Sequence, residues 1–283
     1  MELAGDSRSN AMTVDVEDYF QVSAFESVIT PQDWDAISPR VGQNTHRILD
    51  LFAEHGVKST FFTLGWVAKR CPDIIKRIVE EGHELASHGL DHRRATTMSK
   101  NDLRDDISQS KDILEDIGGT RVIGYRAPSF SINSSNEWVY DVLKELDFIY
   151  SSSTYPIAHD LYGVPDWPRF KYARPEGIIE IPIPTIRKKD RNQGIGGGGY
   201  FRLYPYSLSK KRIDNYLASE NEPYSFYFHP WEIDASQPKV KGAPLKSRIR
   251  HYINLSRMEG KLVRLLKDFK WDTMRDTYGI IQS

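Results

Sequence analysis

An α/β architecture built on a parallel sheet follows from three features of this 283-residue sequence. Short apolar runs of strand length recur along the chain, amphipathic stretches of helix length lie between them, and glycines end several of those stretches. Strands alternating with helices on this spacing imply repeated βαβ units, whose sheet is either open or closed into a barrel. Pattern alone leaves both closures standing.

The first run, Ala11 to Val16, is followed by amphipathic Asn44 to His55, which stops at Gly56. Ser59 to Thr63 comes next, then a helix from Pro72 to Glu81, with proline in its first turn and Gly82 at its end. Glu84 to Ser87 leads to Asp102 to Ile117, where Leu103, Ile107, Leu114 and Ile117 fall on one helical face. Ser99 is placed to cap that helix and Gly118 to stop it. The strands Val122 to Tyr125, Phe148 to Ser151, Ile178 to Ile183 and Ser225 to Phe228 continue the rhythm, with a helix over Ser135 to Leu146. Lys246 to Phe269 carries an apolar stripe at helical spacing, interrupted by Gly260, which core packing explains. Two segments break the rhythm. Tyr155 to Pro175, rich in proline and aromatics, reads as a long ordered loop of the kind that flanks sites. Gly194 to Gly199 has no Gly-Lys-Ser/Thr after it, so a phosphate cradle is rejected in favour of a flexible loop.

Composition narrows the function. With 39% hydrophobic and 27% charged residues the chain is globular and long enough to bury a barrel-sized core in one domain. Lys plus Arg is 38 against 39 for Asp plus Glu, so no long-range field would hold a polyanion, and nucleic-acid binding is not expected. One cysteine, Cys71, excludes an intrachain disulfide and an all-cysteine zinc site. Residues 1–10 are polar and read as a flexible segment without the apolar core of a signal peptide. No run approaches a transmembrane span, so a cytoplasmic protein is expected.

Four strand exits carry chemistry. After the first come Asp15, Glu17 and Asp18; side chains two apart on a strand share a face, so Asp15 and Glu17 crowd one space, which a cation or shared proton would relieve. The alternative is a solvated strand end. After the third strand, His88 and His92 are spaced so that a single helical turn would bring both imidazoles to one ion. The pair is not a zincin motif, because Gly89 follows His88 where that motif has Glu. His83, His55 and His251 read as hydrogen-bonded structural residues. Arg126 at the fourth exit would hold an Asp ionised; the alternative is a surface ion pair. His229 follows an aromatic strand and could act as a general acid, although a buried, satisfied histidine is commoner.

Taken together, Val14-Asp15-Val16-Glu17-Asp18, the stretch 56–65, Glu81 to His88, and His92 resemble the NodB-homology polysaccharide deacetylases of carbohydrate esterase family 4, over about residues 11–232. More narrowly, Gly197 to Leu203, Phe228-His229-Pro230-Trp231-Glu232 and the C-terminal helix around Arg250-His251-Tyr252 look like the branch linked to exopolysaccharide and exosortase gene clusters. The resemblance implies a distorted (β/α) barrel of the NodB type as a single domain, with residues 233–283 as a helical extension packed on it. It further implies a divalent metal, zinc above all, on Glu17, His88 and His92, and a hydrolase that removes the N-acetyl group of an amino sugar in a glycan. Asp15 maps to the catalytic base, Arg126 to the residue that orients it, His229 to the general acid, and Ser129, by its N–H, with Pro128 to the oxyanion and substrate wall.

Three departures from the family pattern matter. Val16 separates the two acids, leaving Asp18 a rival metal ligand; the Asp-Trp motif that supports the catalytic histidine is not recognisable, leaving His229 without a partner; and Ser129-Phe130 replaces Tyr-Gly in one pocket wall. Alternatives are a metal-dependent hydrolase of another C–N bond, such as a cyclic amide, and a catalytically silent carbohydrate-binding homologue. The silent form predicts a missing base or acid, yet both are present.

Overall fold

The computed structural model describes residues 9–159 and 162–281. Of the expected flexible segment 1–10, residues 1–8 lie outside the described residues, and Asn10 already opens the first strand. The strands are β1 (Asn10–Val16), β2 (Thr60–Thr63), β3 (Glu84–Ser87), β4 (Gly124–Tyr125), β5 (Tyr150–Ser151), β6 (Tyr172–Ala173), β7 (Ile179–Glu180), β8 (Thr185–Lys188), β9 (Arg191–Gly194), β10 (Ser225–Phe228) and β11 (Trp271–Asp272). The helices are α1 (Val41–His55), α2 (Gly65–Arg70), α3 (Pro72–Glu80), α4 (Lys100–Gly118), α5 (Val139–Glu145), α6 (Gly198–Leu203), α7 (Tyr206–Ser219), α8 (Leu245–Tyr252), α9 (Leu255–Asp268) and α10 (Met274–Thr277).

The main sheet runs β10-β1-β2-β3-β4-β5-β7-β6. Every pairing from β10 to β7 is parallel, and only β6 is antiparallel. Its two ends do not pair with each other among the described residues, so the sheet is a curled half-barrel rather than a closed ring. All residues of β1 are buried, as expected for a central parallel strand covered on both faces. Met12, Val14 and Val16 face the helices in the main core, whereas Ala11 packs with Phe62 and Ala86 in a second, inner cluster. Asp15 shares the inner face. Parallel pairing also sends the carboxyl ends of β1, β3, β4 and β10 to one rim, where groups scattered along the sequence can meet.

Local departures from the sequence reading have identifiable causes. Strands β4, β5 and β7 are shorter than their apolar runs, because the sheet's far side is paired over only two residues each. The helix expected from Ser135 starts at Val139: Asn133 and Asn136 side chains accept from nearby backbone N–H groups and hold a turn instead. The C-terminal apolar stripe breaks at Asn254, not at Gly260; Asn254 has φ 52° and its amide donates to the Arg202 carbonyl, while Gly260 stays helical inside α9. The stretch 233–283 is not helical throughout, since β11 adds in parallel to the start of β1.

Candidate active site

At the first strand exit the chain turns sharply. The Glu17 N–H donates to the Asp15 carbonyl at 3.0 Å, and both carboxylates reach the same buried cavity. Asp15 Oδ1 accepts from Arg126 Nη1 at 2.6 Å. Arg126 is fully buried and spoken for: it also donates to the Thr13 hydroxyl and to the Ser152 carbonyl and hydroxyl, and its guanidinium lies 4.0 Å from the Phe62 ring centroid. The surface ion pair considered for Arg126 is therefore excluded. With one oxygen of Asp15 fixed, Oδ2 is the one 4.0 Å from His229 Nε2.

Glu17 Oε2 lies 2.7 Å from His92 Nε2, yet it receives no directed hydrogen bond. Its other oxygen accepts from the Trp231 indole N–H at 3.3 Å. Burial alone would raise the Glu17 pKa, but the neighbouring charges of His92 and His229 outweigh it and hold the carboxyl at about 2. His88 pairs its Nδ1 with the Arg126 carbonyl at 2.8 Å, which makes Nδ1 the protonated nitrogen and leaves Nε2 as a lone-pair donor. Burial pushes its pKa down to about 4, so the ring is neutral at physiological pH. One ligand atom each from Glu17, His88 and His92 lies within 4.8 Å of the others. One carboxylate and two imidazoles, with a carboxylate oxygen left without a hydrogen bond beside them, is a donor set that fits a divalent cation.

The histidines converge through a loop, not the helical turn that their spacing suggested. Gly89 (φ 82°) and His92 (φ 60°) both take left-handed backbone, and α2 and α4 clamp the bend. Gly65 N–H and Ser110 Oγ donate to the Gly89 carbonyl, Trp66 N–H to that of Leu90, and Asp106 Oδ2 accepts the Leu90 N–H at 2.8 Å. A side chain at position 89 would crowd Asp106 at 3.0 Å. Sequence reasoning missed Asp106 and Ser110, which sit unremarked among the polar residues of α4.

Asp18 lies outside the cluster of Glu17, His88 and His92. Its Oδ2 accepts the N–H groups of Arg40 and Val41 at the start of α1, and Oδ1 accepts the Tyr19 N–H, so the carboxylate satisfies a helix terminus. Asp18→Ala is expected to cost about 1–3 kcal/mol of stability, by orphaning buried donors, while leaving metal content unchanged. Denaturant unfolding beside metal analysis checks this; a variant that loses its metal would return Asp18 to the ligand set.

His229 does have a partner. Its Nδ1 pairs with Glu232 Oε1 at 2.8 Å, and Glu232 Oε2 accepts from Arg202 Nε at 2.6 Å. Arg202 is anchored in turn by donating to the carbonyls of His251 and Ile253. Burial alone would lower the His229 pKa, but Glu17, Glu232 and Asp15 outweigh it and lift it to about 9. The Gly194 to Gly199 run, read as a flexible loop, has a packing purpose: a Cβ on Gly198 would overlap the Glu232 carboxylate. Gly198→Ala is accordingly expected to push Glu232 off His229 and cut turnover at least about tenfold, as supporting-residue losses do. A steady-state assay checks it, and unchanged turnover would contradict the contact.

Ser129 lines the cavity with φ 55°, its Oγ 2.7 Å from Ser23 Oγ, and among the described residues its peptide N–H has no acceptor. Pro128, expected in the same wall, instead starts this turn and lies beside Gly89 rather than on the cavity. In the aromatic loop, Tyr162 reaches the cavity while Tyr155 packs against Phe130 and Trp167 and Phe170 join the main core. His83 accepts from the Ser59 N–H, and His251 pairs with Gln237, both in the structural roles expected for them.

Residues 32–149 match the family model described as polysaccharide deacetylase. That match covers less than half of the chain. Residues 152–279 match a second model, described as a domain of unknown function (DUF3473). The stretch matched by the first model holds His88, His92, Arg126 and Ser129; that matched by the second holds His229, Glu232 and Arg202; Asp15 and Glu17 precede both. A peptidoglycan-N-acetylglucosamine deacetylase of Bacillus cereus is 38% identical over 86 residues, 30% of this chain and 29% of that protein. A chitooligosaccharide deacetylase of Sinorhizobium fredii is 36% identical over 103 residues, 35% of this chain and 44% of the relative. The match thus spans less than half the length of either. A Mycobacterium smegmatis structure assigned as a polysaccharide deacetylase superposes with a TM-score of 0.56 at 18% identity, covering 94% of this chain and 93% of that one, which establishes the distorted barrel fold.

Proposed function

We propose that this chain is a metal-dependent N-deacetylase that hydrolyses the acetamide of an amino sugar within a glycan, in a branch serving exopolysaccharide synthesis. The observation that carries the reading is the meeting of Glu17, His88 and His92 within 4.8 Å, beside an Arg-held Asp15 and a carboxylate-backed His229. Glu17, His88 and His92 would hold the cation, zinc by its donor set. When bound, such an ion polarises an acyl carbonyl and lowers the pKa of water.

The chain's own groups do the rest. Asp15, aimed by Arg126, accepts the proton of the attacking water. The Ser129 N–H, without an acceptor among the described residues, donates to the oxygen that becomes negative. His229, protonated at neutral pH under the influence of Glu17 and Glu232, gives its proton to the departing amine, so that acetate and a free amino sugar leave. Apolar walls from Val22, Phe130 and Trp231 keep bulk water from the reacting atoms.

The relatives whose names specify peptidoglycan and chitooligosaccharides suggest the first substrates to try. Purified protein should release acetate from N-acetylglucosamine oligomers, lose that activity on chelation and regain it with zinc. Ring-opening hydrolysis of cyclic ureides, with no acetate released from acetylated sugars, would replace this reading with cyclic-amide hydrolysis.

A further inference from the structure

We propose that the face formed by α6 and α8 docks onto an anionic lipid bilayer and presents the catalytic cavity to glycan held at that surface. The sequence around α8 is unusual for the chain. Residues 235–258 contain Lys239, Lys241, Lys246, Arg248, Arg250 and Arg257 and not one Asp or Glu, in a protein whose formal net charge is −1. None of these six cations has a carboxylate partner among the described residues, although many other basic side chains do.

Apolar exposure coincides with that charge. On α8, Leu245 and Ile249 stand one turn apart at 69% and 55% exposure, and Lys246 and Arg250 form the adjacent exposed row. Next to them, α6 exposes Tyr200 and Leu203, and these two with Ile249, Arg250 and Ile253 line a single groove. Apolar side chains flanked by unpaired cations on one short surface are the chemistry of an interfacial helix, which buries the former among acyl chains and sets the latter at phosphate level. Among the described residues no helix is long and apolar enough to cross a membrane. Tyr162 and Tyr227 line both the groove and the catalytic cavity, so docking here brings the cavity mouth beside the bilayer.

Co-sedimentation with vesicles tests the idea without using catalysis, so its failure is separable from failure of the deacetylase reading. The protein is expected to pellet with phosphatidylcholine vesicles doped with phosphatidylglycerol, to be released by high salt, and to ignore pure phosphatidylcholine. Removing Lys246 and Arg250 charges as Lys246→Gln and Arg250→Gln should weaken binding about fivefold each. Leu245→Ser with Lys246→Glu, both on the outer side of α8, should abolish pelleting while acetate release from a soluble oligomer and the circular-dichroism melt stay unchanged. No pelleting with anionic vesicles, or equal pelleting by that variant, would overturn the proposal. So would a sedimentation-velocity dimer that the variant dissociates, since a second copy would then occupy the face.

Discussion

His88→Ala is expected to empty the cation site and stop acetate release together. The ring would contribute one of three ligand atoms, and its tautomer is set by the bond from Nδ1 to the Arg126 carbonyl, so Ala cannot replace its Nε2 donor. Loss of the ion forfeits several kcal/mol of transition-state charge stabilisation, and about 4 kcal/mol corresponds to a thousandfold fall in rate. Metal analysis of the purified variant should show substoichiometric zinc, with kcat/KM at least about a thousandfold lower. Wild-type turnover by metal-free His88→Ala protein would sink the hydrolytic mechanism as drawn here. Stability is less affected, because the neutral, buried ring carries no charge that needs a partner.

Glu232→Gln should be the next most damaging change that leaves every metal ligand in place. The carboxylate accepts from both the ring and the backbone N–H of His229, and it carries the charge that keeps the ring protonated. A bound cation would offset the charge of Glu17, which leaves Glu232 as the principal support of the acid. Loss of general-acid function costs about a hundredfold or more in kcat. The sign of the pH effect follows: His229 gives its proton only while protonated, so activity falls as pH rises through its pKa. Without Glu232 that pKa drops, and the alkaline limb of the rate profile should move to lower pH. Removing the charge also strands Arg202, fully buried, at about 3–5 kcal/mol in stability. Glu232→Asp, which keeps the charge, is the control: it should retain the fold and the alkaline limb. A Glu232→Gln profile that keeps the wild-type alkaline limb would remove Glu232 from the proton path.

The element order was legible because its signals are local. Ser99 accepts the Asp102 N–H at the start of α4, as its position before that amphipathic stretch indicated. Asp15, Glu17, His88, His92, Arg126 and His229 were findable for a related reason: each follows a short apolar run, and parallel strands send all such exits to one rim. The partners of those residues carried no comparable signal. Arg202 and Glu232 are 30 positions apart, and Ser110 looks like any helix serine until the Gly89 carbonyl is seen above it.

Sequence by itself therefore determined the βαβ rhythm and the inventory of reactive side chains, since helix and strand periodicity and residue chemistry are properties of neighbours along the chain. Only the tertiary structure decided which acid faces His88 and His92, what holds His229, and why Gly198 must lack a side chain. Asp18 and Glu17 are adjacent in sequence and equivalent as carboxylates; the N–H groups at the start of α1 claim one and leave the other for the cavity. Such assignments depend on which donors lie within about 3 Å, a distance that chain connectivity alone does not specify.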